Sequence, residues 1–567
     1  MSILNRTFHP DEANQAFTTG RLLETGTYTY NPQDHHGPTL YYAAATLQKA
    51  AGHHSTATLD PTLLRCTPLL FAVLALVFGA LVLRKITGRI GHGLLFALLL
   101  GTSPLFVFFA TDFIQEMLLA AFTMMMLWSA VGYRNVKCKI ENGKCQSTPN
   151  ERSQNLHFTF YILHSPTPGT WAILFGIAAG LAFATKETAI LTFSAAGIAA
   201  LPFAWRKTLH VKARDAVLAF MGFALTALLL YSSFASNWQG VYNAFIAAPL
   251  SYLHRAAGSA ASQGAAAHIH PWWQYLEWLF LGKAHVSQFH IGGTAPNMAA
   301  GAIPVFGCVL PLLFRRIRQK ISPSLKRAGA FLTLYTILLL AFYSAIPYKT
   351  PWCALQIHIG YLAASFIGFL VFGELLSLLQ NWLKGVDPSA FSRGWRPLSA
   401  KTLSTITATV AVTTVIVAEF IPQLIRLNRD PDSKDIPYNY ASASPQVQDL
   451  ASLVIEKFDS LTVGQFDGSD TNQPPNYQTT KPSNFFVAVA LPPEDTWPLP
   501  FYLRSIKDNV GYWTQFGELE ALAGLGRKPT VVVVPAEEGH LVQPLFPHLK
   551  NTKRFEMRPR VRVRAFW

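Results

Sequence analysis

Long apolar runs alternate with short polar breaks through the middle of the chain, and this pattern predicts membrane-spanning helices. Crossing about 30 Å of hydrocarbon takes about 20 apolar residues. Runs of that order cover residues 64–83, 94–110, 117–133 and 213–234. Four more cover 298–314, 328–346, 354–379 and 403–421, and a tight pair covers 171–185 and 188–205. The expectation is about ten spans. After residue 421 the pattern changes. Polar, Pro/Asp/Asn-rich linkers at 428–440 and 467–483 separate a helix-spaced segment, 446–458, from two short runs, 485–491 and 530–534, that read as buried parallel strands. Residues 558–564 alternate Arg with Val and Pro, which predicts an exposed edge strand or a surface held near anionic lipid.

The predicted fold class is therefore a multi-pass α-helical membrane protein with a C-terminal soluble α/β domain. Its predicted units are a first outward loop with amphipathic helices at 1–63, a transmembrane bundle at 64–421 with a long outward loop at 235–296, and an extracytoplasmic α/β domain at 422–567.

Composition agrees. The 567 residues are 50% hydrophobic and 14% charged, with mean hydropathy +0.25, too apolar for a single soluble domain of that size. The net charge of +15 would suggest nucleic acid in a soluble protein. Here the excess sits in short loops, at 84–89, 134–152, 206–214, 315–327 and 384–401, which the positive-inside rule assigns to the cytoplasm. Nucleic acid is not an expected partner. The remaining segments, 1–63, 111–116, 186–187, 235–296, 347–353 and everything after 422, then face outward, with the whole chain in the inner (plasma) membrane. Residues 1–10 supply neither signal nor helix to carry the first loop across, so an absent upstream helix is expected, from a start set too late or a truncated chain. The alternative is translocation by the first span. Five cysteines, Cys66, Cys138, Cys145, Cys308 and Cys353, imply no disulfide framework.

The outward segments hold the candidate chemistry. Asp11-Glu12 are adjacent carboxylates, followed in the same loop by His35-His36-Gly37-Pro38 and Tyr41-Tyr42. Moving a sugar off a lipid phosphate needs a base for the acceptor proton, and a carboxylate at the membrane surface serves. It also needs cations against the departing phosphate, and His36, Arg65, Lys186 and Lys349 lie on the same face. The plainer reading is that Asp11-Glu12 cap the helix beginning there. Glu116 at a hairpin end, with Asp112 a turn away, would hold donor or a divalent ion, or mark a solvated tip. Lys186-Glu187 join two apolar runs at the interface, where unpaired ions are costly, so a plain salt bridge and a phosphate contact are both open. In Tyr348-Lys349-Thr350-Pro351-Trp352 the aromatics suit anchoring and Lys349 suits a lipid phosphate. His268 and His270 among Trp272, Trp273, Tyr275 and Trp278 suit an interfacial helix, and no metal is assigned to them.

The stretches 9–13 (HPDEA) and 36–42 (HGPTLYY) resemble the first outer loop of family 39 glycosyltransferases, which include protein O-mannosyltransferases and lipid A aminoarabinose transferases. More closely, 20–26 (GRLLETG), 181–188 (LAFATKET), 347–352 (PYKTPW) and 497–513 (WPLPFYLRSIKDNVGYW) are similar to flippase-activity-associated proteins of the same GT-C superfamily. The resemblance implies a GT-C-like bundle and a glycosyltransferase using a polyprenyl-phosphate sugar, with a glycan, lipid or protein as acceptor and membrane lipids around it. It implies that Asp11 is the base, with Glu12 its orienter or a sugar ligand. His36, Arg65, Glu116, Lys186, Glu187, Tyr348, Lys349 and Trp352 then line the donor site. No cofactor is required, and a divalent cation is left open. The competing reading is a noncatalytic or transport-associated component of a lipid-linked-sugar flippase system. Asp495, Trp497 and Trp513 line either a sugar pocket or the C-terminal core.

Overall fold

A computed structural model describes residues 6–31, 36–141, 167–205, 211–250, 269–281, 315–386, 398–429, 443–463, 486–558 and 561–567. Two helices precede the bundle, α1 (Pro10–Thr25) and α2 (Thr39–Ala50). The bundle follows as α3 (Pro61–Thr87), α4 (Ile90–Gly101), α5 (Pro104–Ala110), α6 (Glu116–Glu141), α7 (Pro168–Phe183), α8 (Ala189–Trp205) and α9 (Ala213–Tyr231). After these come α10 (Pro323–Ala345), α11 (Ala354–Val386), α12 (Ala400–Val415) and α13 (Ile421–Arg429), the last two joined by a π-helical turn, Ile416–Phe420.

Among the described residues, six helices are long and apolar enough to cross a membrane. Taken together, α4 and α5 pass the same test of length and composition, bent 74° at their break. The apolar run 94–110 predicted one continuous element. Pro104, with Ser103 extended before it, divides it in two. The shorter apolar helices α7 and α8 are the predicted tight pair. The run 298–314 lies outside the described residues, as do most of the polar linkers and His254, His268, His285 and His290. Leu69, Leu70 and Val73 on α3 and Phe220, Met221 and Leu225 on α9 are exposed, the surface an apolar solvent would cover.

Where helices meet, small residues let backbones approach. On α7, Gly176 and Gly180 sit one turn apart. A Cβ at Gly176 would lie 1.9 Å from the Ala219 carbonyl oxygen of α9, and one at Gly180 would lie 2.8 Å from that of Phe223. Gly37 makes the same kind of contact at the end of α7, where a Cβ would lie 2.2 Å from the Ala184 oxygen. The adjacent Thr39 amide donates to that oxygen, and its hydroxyl meets Thr185 at 2.7 Å. Thus HGPT and LAFAT, separated by about 150 residues in sequence, dock together.

The C-terminal domain is a five-stranded sheet in the order β2-β1-β3-β5-β4, with β1 (Val487–Ala490), β2 (Val510–Trp513), β3 (Val531–Pro535), β4 (Thr552–Arg558) and β5 (Val561–Phe566). The predicted strands 485–491 and 530–534 are β1 and β3, paired in parallel. Alternation divides their side chains between two cores. Val487, Val489, Val531 and Val533 pack under α14 (Gln446–Val463), through Val447, Leu450, Val454 and Phe458. Ala488, Ala490, Val532 and Val534 pack under α15 (Gly517–Gly524), through Leu519 and Leu522. One expectation is corrected: the Arg/Val alternation at the C-terminus is not the edge. β5 is hydrogen-bonded on both sides, by β3 and β4, and buries Val563, Ala565 and Phe566. The edges are β4 and, on the other side, β2.

Candidate functional site

At one end of the bundle, α1, α2, the α5–α6, α7–α8 and α10–α11 turns, and the C-terminal domain converge. His9 caps α1, its ring accepting the Asp11 amide at 3.1 Å, while the Glu12 carboxylate accepts the His9 amide at 3.0 Å. The cap is therefore His9, with Glu12 completing the capping box and Asp11 in the first turn. The two carboxylates nevertheless have opposite environments. Glu12 is completely buried, whereas the Asp11 side chain is 46% exposed.

Glu12 is the centre of a buried charge cluster. Arg65 from α3 grips it with both arms, Nε to Oε1 at 2.9 Å and Nη2 to Oε2 at 2.7 Å, and the Phe113 amide adds a bond of 2.9 Å. Arg6 lies 3.9 Å from Glu12 and donates to Asp112 at 2.9 Å and to Thr111. Both guanidiniums also stack over rings, Arg6 over Phe108 and Arg65 over Phe8, each at 4.4 Å. Two cations thus face two buried carboxylates, which is tolerable only because each ion is hydrogen-bonded as well as paired. Burial opposes the Glu12 charge, but Arg65 and Arg6 overcome it and hold its carboxyl at about 2. Burial and the nearby Glu12 charge push Asp112 the other way, to about 6, against the pull of Arg6. Sequence reasoning placed Asp112 beside Glu116 and did not single out Arg6, which sits between Asn5 and Thr7 with no local signal of burial.

Two further ion pairs lie alongside. Lys186 binds Glu116, both buried, and the Gln356 amide holds the Glu116 carbonyl oxygen at 3.2 Å. Burial disfavours the Lys186 charge, and Glu116 more than reverses this, so its pKa rises. Next to it, Glu187 accepts from Tyr30 at 2.6 Å and meets His36 at 2.9 Å. Burial raises Glu187, but His36 and Tyr30 prevail and hold it at about 2.

Lys349 differs from these cations. It is buried, and its ammonium donates to the Ser344 and Ile346 carbonyl oxygens at the end of α10 rather than to a carboxylate. Burial pulls it down to about 8. Tyr348 is 40% exposed, while the Trp352 ring stands edge-on to His9 with centroids 6.0 Å apart. Of the aromatic set, Trp272 and Trp273 are exposed, and Tyr275 and Trp278 are buried, with Tyr275 bonded to the Thr350 oxygen. Among the described residues, no group of three His, Cys, Asp or Glu converges as metal ligands.

Below Glu116 and Gln356, an apolar cavity of about 570 Å³ runs between α6 and α11, lined by Met126, Phe193, Phe223, Tyr335, Gln356 and Ala363 among others.

The fold has solved counterparts. ArnT from Cupriavidus metallidurans, crystallised bound to undecaprenyl phosphate, aligns over 99% of this chain and 94% of its own, with TM-score 0.54 and 14% identity. Its apo state aligns over the same shares, with TM-score 0.51 and 13% identity. No family model matches the chain, and no curated protein matches it significantly. The fold is GT-C. At such identity the likeness extends to architecture, and the chemistry has to be argued from this chain's own residues.

Proposed function

We propose that the chain is a membrane glycosyltransferase that moves a sugar from a polyprenyl-phosphate carrier to an acceptor at the outer face of the membrane. The observation that carries this reading is the contrast at Asp11. Glu12, Asp112, Glu116 and Glu187 are each held at hydrogen-bond distance by a partner side chain, Arg65, Arg6, Lys186 and His36 in turn, whereas Asp11 stands on the same frame 46% exposed, with His9 Nδ1 farther off at 3.8 Å.

In this reading, Asp11 accepts the proton of an acceptor hydroxyl or amine as that atom attacks the sugar C1. The C1–O bond to phosphate breaks, its electron pair leaves on the polyprenyl phosphate, and the configuration at C1 inverts. Lys349 faces the departing phosphate, being a buried cation that meets backbone carbonyls and, among the described residues, no carboxylate. Of the two roles the resemblance implies for Glu12, orienter of Asp11 or sugar ligand, this reading takes the first, exerted through its bond to the His9 amide. Arg65, Lys186 and His36, assigned to phosphate from sequence, hold the frame through Glu12, Glu116 and Glu187, and Trp352 walls the site beside His9. The apolar cavity takes the lipid tail, and the undecaprenyl phosphate bound by the ArnT of like fold supports that choice of lipid. The C-terminal domain stands on the acceptor side, outside the cytoplasm.

The test is transfer from extracted polyprenyl-phosphate sugars by purified protein, wild type against Asp11→Asn, at matched thermal stability. A loss of about 10² or more in turnover is expected from removing a general base. Lipid binding without transfer, identical in both proteins, would replace this reading with the transport-associated one.

A further inference from the structure

The stretch 497–513, so specific in sequence, has no part in the chemistry above. Its first half reaches out of the C-terminal domain onto α1. Phe501 stacks on Phe8 with centroids 4.4 Å apart and planes 10° from parallel, and Trp497 stands edge-on to Phe17 at 5.7 Å. Arg504 donates to the Leu59 oxygen at 2.8 Å, and Lys507 pairs with Glu24 at 2.9 Å. Trp497 is therefore not a core residue of its own domain.

One contact in this interface falls on the strand of chain that leads to Asp11. The bundle fixes that strand through Arg65, which donates to the Arg6 and Thr7 oxygens at 2.7 and 3.4 Å, and through Glu12, which accepts the His9 amide. The Phe8 amide between them is fixed from the other side: it donates to the Tyr502 hydroxyl at 2.8 Å. Gln448 of α14 supports the same point, donating to Thr7 Oγ1 at 3.3 Å and to the Tyr502 hydroxyl at 3.4 Å.

We propose that Tyr502 is a positioning residue for Asp11, through which the C-terminal domain sets the backbone of residues 6–9 and hence where the base stands. This inference rests on the transferase reading. Asp11 lies three residues beyond Phe8, in the first turn of α1, and catalysis falls off steeply when a base is displaced by about 1 Å. The ring of Tyr502 packs against Phe8 and Phe501 without needing its hydroxyl, so the hydroxyl can be removed with the packing retained. Burial lifts the phenol to about 12, so it stays a neutral hydrogen-bond partner across the working pH range.

The experiment compares wild type, Tyr502→Phe and Lys507→Ala in full-length protein. It measures hydrogen exchange of the peptide over 6–12 and turnover against a polyprenyl-phosphate sugar extract of varied amount. Tyr502→Phe is expected to speed exchange in 6–12 about tenfold, as losing one hydrogen bond should. It is expected to lower turnover at saturating extract about tenfold while leaving the half-saturating amount unchanged. Lys507→Ala, which breaks a domain contact away from this strand, should change neither. Wild-type exchange in Tyr502→Phe overturns the proposal, and so does faster exchange spread evenly over α1 and the C-terminal domain, the mark of a merely structural role. A wild type that transfers no sugar overturns the transferase reading instead, and the exchange arm still decides whether Tyr502 holds the strand.

Discussion

Adjacent residues can be given opposite fates by one turn of backbone. Asp11 and Glu12 differ by about 100° around α1, which sends Glu12 into the Arg65 fork and leaves Asp11 at the surface. The dipeptide was legible in sequence as a candidate base, but which member is buried was not, because Arg65 is 53 residues away. Lys349 carries a prediction at this scale. Lys349→Gln should weaken binding of undecaprenyl phosphate about tenfold, read by titration, because a charged donor to phosphate becomes a neutral one.

Glu187 carries another. Its folded value near 2 lies below the ordinary 4.5, so its contribution is fully present above about pH 4.5 and is lost as pH falls toward 2. Glu187→Gln should accordingly lose about 3 kcal/mol of stability at pH 7. The gap to wild type should close progressively below pH 4.5, measured by thermal unfolding in detergent.

Elements were easier to read than pairings, since apolar length and period are local properties. α3, α6, α9, α10 and α11 stand where their runs predict. The exceptions have local causes that hydropathy ignores: Pro104 breaks α4 from α5, and strand pairing on both sides hides β5 despite its arginines. The α7–α9 contact depends on Gly176, whose Cβ position is occupied by a carbonyl oxygen of the opposing helix. Gly176→Val should force the helices apart and cost about 2–3 kcal/mol. Lower thermal stability, with activity falling in parallel, would be the sign, whereas Gly91→Val, in open space on α4 and away from the cavity, should be tolerated.

Across the whole molecule, the C-terminal domain and the bundle share one core at the candidate site, where Phe501 is completely buried among Phe8, Ala13 and Ala16. Phe501→Ser should undock the domain, and limited proteolysis should then release it several-fold sooner than from wild type, with transfer falling as the strand before Asp11 loosens. The sequence by itself determined the apolar helices, the α/β character of the tail and the candidate carboxylates. All of these follow from the composition and period of short windows. Only the tertiary structure decided that Glu12 is locked while Asp11 is open, that Arg6 and Asp112 join the same cluster, and that a motif near residue 500 packs on residue 8. Ion pairing and ring stacking act between side chains brought within a few ångströms, and the fold brings them together from positions up to about 490 residues apart.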